Sequence, residues 1–166
     1  MRDEADGSGE RGGLHVVVGH DGHAGAQAAL EAAVELARRI NAHLHVVHAV
    51  TVADYGIDPD TEEFEKACDR NLVRERELIG AALSGVGVPW TYHEERGEPA
   101  GRLTALAAEL EADYIVVGAT HRGLVHLGGS VPKRLLHTQT RPVVVVPDPT
   151  ERHRHGRRDR SGFAHG

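Results

Sequence analysis

Residues 14–50, LHVVVGHDGHAGAQAALEAAVELARRINAHLHVVHAV, contain a complete strand–helix–strand pattern. The valine-rich run 14–20 ends at an Asp-Gly pair, and a second apolar run follows at 43–50. Between them, apolar residues recur at helical spacing, at Ala26, Leu30, Ala33, Ala37 and Ile40. Two short strands separated by a helix of this length favour a parallel pair joined by a right-handed crossover.

The same alternation continues along the chain. A helix is predicted after residue 60, with Asp60 and Glu63 as a capping box and with a buried apolar stripe of Phe64, Cys68, Leu72, Ile79 and Leu83. A third strand is predicted at 88–95, where Pro89 indicates an edge position. A further helix follows the segment GEPAG, with Leu103, Leu106, Ala107 and Leu110 on its apolar face. Strands at 113–118 and 143–146 complete the pattern.

Unbroken valine runs at 16–18 and 143–146 are typical of strands that are covered on both faces. The sequence therefore predicts a five-stranded, doubly wound α/β domain with a parallel sheet. In such sheets, ligands bind beyond the carboxyl ends of the strands, at the point where the strand order reverses.

Composition limits the classes of function. Of the 166 residues only 4% are aromatic, the net charge is −6, and 151–166 contains five arginines against two acidic residues, so the rest of the chain is acidic. An acidic body with few aromatic residues argues against a nucleic-acid surface. We expect disordered segments at 1–13 and 148–166, no secretory signal, no membrane span and a cytoplasmic location. Cys68 stands alone, so we expect a small core residue rather than a disulfide or zinc ligand.

The segment 116–136, VVGATHRGLVHLGGSVPKRLL, is a candidate phosphate cradle. Gly118 ends the fourth strand, where a side chain would obstruct a ligand that lies over the strand ends. Gly129 and Ser130 precede a short helix, with Ser130 as its N-cap and Pro132 in its first turn. Backbone N–H groups and the helix dipole favour an anion at such an end.

Four histidines fall in the two loops that this fold brings together, namely His20, His23, His121 and His126. Imidazoles grouped in this way could bind Zn²⁺ or Ni²⁺ or respond to pH, although polar surface loops are the simpler interpretation. His15, His43 and His45 alternate along strands and are interpreted as ordinary polar positions.

Four blocks of the sequence, in order and in register, resemble the universal stress protein family. They are VVVGHDGHAGAQAALEAAVELA, LHVVHAV, RGEPAGRLTALAAELEADYIVVGA and GGSVPKRLLHTQTRPVVVVP, and together they span about residues 14–147. The resemblance implies a Rossmann-like sheet of strand order 3-2-1-4-5. It also implies a crevice between the first and fourth strands, in which many members bind ATP and others do not.

The resemblance assigns roles to particular residues. Asp21 matches the acidic residue near the ribose, and Ala49 matches the residue that lines the adenine site. The phosphates would lie on Gly118, Gly129, Ser130 and Val131, in the place of the family's Gly-x-x-Gly, nine residues, Gly-Ser/Thr motif. ATP or another adenine nucleotide is the implied ligand, and Mg²⁺ could accompany it.

The sequence departs from that motif in two ways. His121 replaces the second glycine, and seven residues rather than nine separate it from Gly129. Gly123 could take over the missing glycine's place, and a protonated His121 would attract phosphate. Without a phosphate-loop lysine or a base–nucleophile pair, we do not expect efficient ATP hydrolysis. A dimeric interaction module with a closed pocket, or a histidine-lined metal or pH sensor, remains the alternative function.

The final strand also predicts self-association. Four consecutive valines at a sheet edge would be prone to aggregation if they were bare. Pairing with a second copy would cover that edge, and the family resemblance implies dimers through this strand. We therefore expect a homodimer through 143–146.

Overall fold

The computed structural model describes residues 13–22, 24–50, 60–119, 131–138 and 140–149. The strands are β1 (His15–Gly19), β2 (His43–Val50), β3 (Trp90–Arg96), β4 (Tyr114–Gly118) and β5 (Val143–Val146). The helices are α1 (Ala24–Ile40), α2 (Glu62–Leu83), α3 (Pro99–Glu109) and α4 (Val131–Thr138). None of these four described helices combines the length and the apolar character needed to cross a bilayer.

The strands form one parallel sheet in the order β3-β2-β1-β4-β5. This confirms the predicted Rossmann-like, doubly wound architecture. The strand order reverses at β1, because the chain first adds strands on one side of β1 and then returns to add β4 on the other. The gap between β1 and β4 at their carboxyl ends is therefore the expected ligand position.

The valine run of β1 is buried on both faces of the sheet, as predicted. Val16 and Val18 pack with α1 and with Ile79 of α2, whereas Val17 packs with Leu103 of α3 and with α4. All three valines are fully buried. β5 differs because it lies at the edge, where Val144 is 36% exposed.

Two local details differ from the sequence-based expectation. The N-cap of α2 is Thr61, whose Oγ1 accepts a hydrogen bond from the Phe64 N–H at 3.3 Å, so the predicted Asp60–Glu63 box is wrong by one position. β3 begins at Trp90 rather than at Val88, because Pro89 has no N–H to donate to the ladder, although its carbonyl accepts the Leu44 N–H at 2.9 Å.

The predicted terminal segments lie almost entirely outside the described residues and stay predictions. Asp148, which would begin the predicted tail, is only 2% exposed. Cys68 is buried in a small cluster with Phe64 and Leu72, which confirms its prediction as a core residue.

The first turn of α1 lies directly against the carboxyl end of β4. A Cβ atom on Gly118 would overlap the carbonyl group of Gly25, and a Cβ on Gly25 would lie 2.9 Å from the carbonyl oxygen of Ala119. Both positions therefore need glycine because two stretches of backbone meet there. The reason predicted from the sequence, that a side chain at Gly118 would obstruct a ligand, stays a prediction beside this backbone contact.

His15, His43 and His45, which the sequence presents as ordinary polar positions, form one cluster with His93. His15 Nδ1 lies 3.0 Å from His45 Nε2, and His45 Nδ1 lies 3.0 Å from His93 Nε2. The ring of His43 stacks on that of His45 at 4.6 Å between centroids. Neutral imidazoles can form this chain, since each ring offers one donor and one acceptor.

The position of the cluster holds its central ring neutral. Burial, followed by the charges of its histidine neighbours, lowers the pKa of His45 to about 4. Burial is also the main cause that lowers the pKa of His43 and of His93.

Replacing Gly118 by alanine should lower the free energy of unfolding by about 2–3 kcal/mol, because the new methyl group overlaps the α1 backbone. The matched control is Gly80→Ala in α2, where an added Cβ would meet no atom within 4 Å. That control should raise stability by about 0.5–1 kcal/mol through the higher helix propensity of alanine. Urea unfolding of both variants measures the difference, and an unchanged midpoint for Gly118→Ala would contradict the close backbone contact.

Acidification should destabilise the protein through the histidine cluster. Between pH 6.5 and about 4 the unfolded chain protonates His45 and the folded chain does not. The free energy of unfolding therefore falls as the pH falls through this window, by at most about 1.4 kcal/mol per pH unit from this group. His45→Gln should reduce the slope measured by urea unfolding, whereas His137→Gln, at an exposed position of α4, should keep it. Equal slopes in the two variants would show that the cluster does not titrate in this way.

Candidate functional site

A cavity of about 250 Å³ opens at the carboxyl ends of β1 and β4, where the strand order reverses. Its wall combines the ends of β1, β2 and β4 with the first turns of α1, α3 and α4. The wall residues are Gly19, His20, Asp21, Gly25, Ala26, Val47, Ala49, Pro99, Leu103, Val117, Gly118, Ala119, Val131 and Pro132. The cavity is close in size to small-molecule sites, and it lies where this fold places its ligands.

The floor of this crevice is apolar. Val47, Leu103 and Val117 are almost fully buried and belong to the core cluster between the sheet and α3. Such a floor suits a flat, weakly polar ring such as a nucleobase. Asp21 also lines the crevice and is exposed.

The wall also contains the N-terminus of a helix. α4 begins at Val131, and Pro132 is its second residue and is buried. Proline is tolerated there because the first N–H groups of a helix make no bond within it. The dipole of α4 adds a partial positive charge at this end, which favours an anionic group in the crevice.

The structure brings four of the eight predicted site residues together. Asp21, Ala49, Gly118 and Val131 all line the crevice, although they come from three separate parts of the chain. The other four, His121, Gly123, Gly129 and Ser130, lie outside the described residues, so their predicted contacts with phosphate are not described by the structure.

Of the four loop histidines that were predicted to lie together, the structure describes only His20. His20 lies on the crevice wall and is 8% exposed, while His23, His121 and His126 lie outside the described residues. His20 instead meets His48 of β2 and Glu75 of α2, and their side-chain ligand atoms lie within 4.8 Å of one another.

Sequence reasoning missed two groups of residues. Pro99 and Leu103 line the crevice because α3 begins directly after the carboxyl end of β3. The crevice opens at the carboxyl ends of the strands, on the same side of the sheet. Glu75 was missed although its position carried a signal. Glu75 lies three residues after Leu72 and four before Ile79, on the buried face of α2, where helical spacing predicts an apolar residue.

Comparison with known proteins assigns the family. The family model described as "Universal stress protein family" matches residues 14–147. No curated protein matches the chain.

Solved structures agree with that match. A protein of the universal stress protein family from Burkholderia pseudomallei is 32% identical, with a TM-score of 0.65, over 80% of this chain and 95% of that one. A universal stress protein in complex with cAMP is 27% identical, with a TM-score of 0.62, over 81% of this chain and 97% of that one. The universal stress protein of Archaeoglobus fulgidus in complex with dAMP is 23% identical, with a TM-score of 0.56, over 80% of this chain and 97% of that one, and supports the fold alone.

The parallel sheet, the position of the crevice and the match across residues 14–147 agree with one another. This chain belongs to the universal stress protein family.

Proposed function

We propose that this protein is a stress-response regulator that binds an adenine nucleotide in the crevice between β1 and β4. The observation that carries the proposal is the convergence of Asp21, Ala49 and Val131 on one largely apolar cavity at the point where the strand order reverses. The related universal stress protein in complex with cAMP, at 27% identity, supports the same class of ligand.

Each part of the crevice suits a different part of a nucleotide. The base would lie over Val47 and Leu103, beside Ala49, whose small side chain leaves room for a ring. The carboxylate of Asp21 would accept hydrogen bonds from ribose hydroxyls. The phosphates would lie toward the N-terminus of α4, near Val131, where the dipole favours negative charge.

We propose that binding acts as a switch rather than as a step in catalysis. The part of the wall that the structure describes contains no lysine or arginine to stabilise a transferring phosphoryl group. Asp21 is its one carboxylate, so an accompanying Mg²⁺ would be held chiefly by the phosphates. Nucleotide would favour one arrangement of the elements that surround the crevice. The cytoplasmic location stays a prediction from the sequence.

We also propose a homodimer through the edge of β5. The carbonyl of Pro142 accepts a hydrogen bond from Ile115 of β4 at 3.0 Å, and that of Val146 accepts one from Ala119, directly after β4, at 2.7 Å. Because alternate residues of a strand face opposite neighbours, the backbone groups of Val143 and Val145 point away from β4. A second copy of β5 would pair with them and cover Val144.

Wild-type protein should bind ATP, AMP or cAMP at one site per chain, measured by titration calorimetry and by a rise in melting temperature. Ala49→Phe should abolish binding because the ring fills the cavity. Asp21→Asn should weaken binding about 10-fold through the loss of a charged acceptor. Asp69→Asn, an exposed change on α2, is the matched control and should bind like wild type. If none of the three nucleotides binds, the proposal fails and the dimeric interaction module is favoured.

Sedimentation equilibrium should show a dimer for the wild-type chain. Val144→Glu should yield monomer, since the two-fold pairing of β5 would bring like charges close together. Val73→Glu is the matched control, because Val73 is an exposed valine of α2, at 57% exposure, far from the sheet edge in sequence. A monomeric wild type, or a dimer that Val144→Glu leaves intact, would contradict pairing through β5.

A further inference from the structure

Three metal-ligating side chains meet between the sheet and α2. His20 follows β1, His48 lies on β2 and Glu75 lies on α2, and they are 8%, 5% and 9% exposed. One ligand atom from each lies within 4.8 Å of the other two. Histidine and glutamate are rarely buried together unless their polar atoms have partners, so this group needs an explanation.

Glu75 is the residue whose placement is hardest to explain without a cation. Its Oε2 is buried and has no hydrogen-bond partner among the described residues. An ion-pair contact joins this atom to His20 Nδ1 at 3.5 Å, which is longer than an N–H···O hydrogen bond. A buried carboxylate oxygen left in this state destabilises the fold unless a positive charge lies beside it.

A second buried oxygen lies in the same region. The hydroxyl of Tyr92, on β3, also has no hydrogen-bond partner among the described residues. Burial, the carboxylate of Glu94 and then that of Glu75 raise the pKa of Tyr92, so the phenol senses the charge of Glu75. Glu75 Oε2 and the Tyr92 hydroxyl are thus two buried oxygens without a hydrogen-bond partner among the described residues.

His48 makes a backbone hydrogen bond of the kind that metal-binding histidines commonly make. Its Nδ1 lies 3.1 Å from the carbonyl oxygen of His20 and donates to it, because a carbonyl oxygen can only accept. This hydrogen bond fixes the tautomer and leaves the lone pair on Nε2. Metal-ligating histidines almost always donate their other N–H to a carboxylate or a backbone carbonyl in this way.

The separation between His20 and Glu75 also suits two ligands of one ion. Two atoms each about 2.1 Å from a tetrahedral ion lie about 3.4 Å apart, and His20 Nδ1 and Glu75 Oε2 are separated by 3.5 Å. The Gly22 N–H donates to the same nitrogen of His20 at 3.3 Å, a long hydrogen bond that an ion would replace.

We propose that His20, His48 and Glu75 bind a divalent first-row transition metal ion of the Zn²⁺ class. Two imidazoles and one carboxylate are a ligand set that Zn²⁺ takes, and three protein ligands leave its fourth position open. The ion would tie α2 to the ends of β1 and β2, behind the crevice wall. This proposal does not depend on nucleotide binding.

The competing explanation is an ion pair between a protonated His20 and Glu75, with no metal. Both explanations place a positive charge beside the carboxylate, but only the metal requires His48. His48→Gln therefore separates them, because it removes the Nε2 ligand and leaves the ion pair in place.

Co²⁺ titration of the metal-free full-length protein tests the site, since tetrahedral Co²⁺ absorbs strongly in the visible range. Wild type should bind one ion with this spectrum, Zn²⁺ should displace it, and Zn²⁺ should raise the melting temperature. Glu75→Gln and His48→Gln should each weaken Co²⁺ binding by more than about 100-fold. That exceeds the loss of affinity expected when a residue that only hydrogen-bonds to a ligand is removed. The exposed changes Glu31→Gln and His137→Gln are the matched controls and should leave it unchanged.

Histidines elsewhere in the chain require one more variant. Replacing His153, His155 and His165 together by glutamine should leave the site intact. The proposal would be overturned if this variant lost Co²⁺ binding while Glu75→Gln and His48→Gln kept it. It would also be overturned if the wild-type protein bound no Co²⁺.

Ring-nitrogen NMR spectra keep the test independent of how well the variants fold. In wild-type protein, one equivalent of Zn²⁺ should shift the signals of His20 and His48 and leave those of His43 in place. If His20 and His48 do not shift, the proposal fails.

Discussion

The contact between Gly25 and Gly118 fixes the geometry on which the rest of the molecule depends. It brings the first turn of α1 onto the end of β4, closer than any side chain at either position would allow. β1 and β4 are thereby held side by side, with α1 leaving on one face of the sheet and α3 packed on the other. The crevice exists because the two connections diverge from this point while the strand ends stay together.

The two faces of the sheet meet different chemical demands near that point. On the α3 face, Val47, Leu103 and Val117 form an apolar floor that a nucleobase could cover. On the α2 face, His48 and Glu75 place buried polar atoms where the core would otherwise be apolar. His20 stands between them, since it lies on the crevice wall and also within contact distance of Glu75. A ligand on one side and an ion on the other would both act on the segment after β1.

The sequence predicted the sheet well because valine runs and helical stripes report burial directly. It predicted that Asp21, Ala49, Gly118 and Val131 belong together, and they share one cavity. It could not predict the histidine chain through His45, because alternation along one strand does not reveal which rings meet across neighbouring strands. The role of Gly118 was likewise hidden, since the contact that requires glycine comes from a helix more than ninety residues earlier in the chain.

Nucleotide binding in the crevice is the central claim, and amide chemical-shift mapping of full-length protein during an AMP titration tests it most directly. The account predicts that the largest shifts fall on the residues that line the crevice, with Asp21, Ala49 and Val131 foremost and with β3 and the exposed face of α2 little affected. Saturating AMP that shifts none of these signals, or that shifts only residues remote from the ends of β1 and β4, would contradict it.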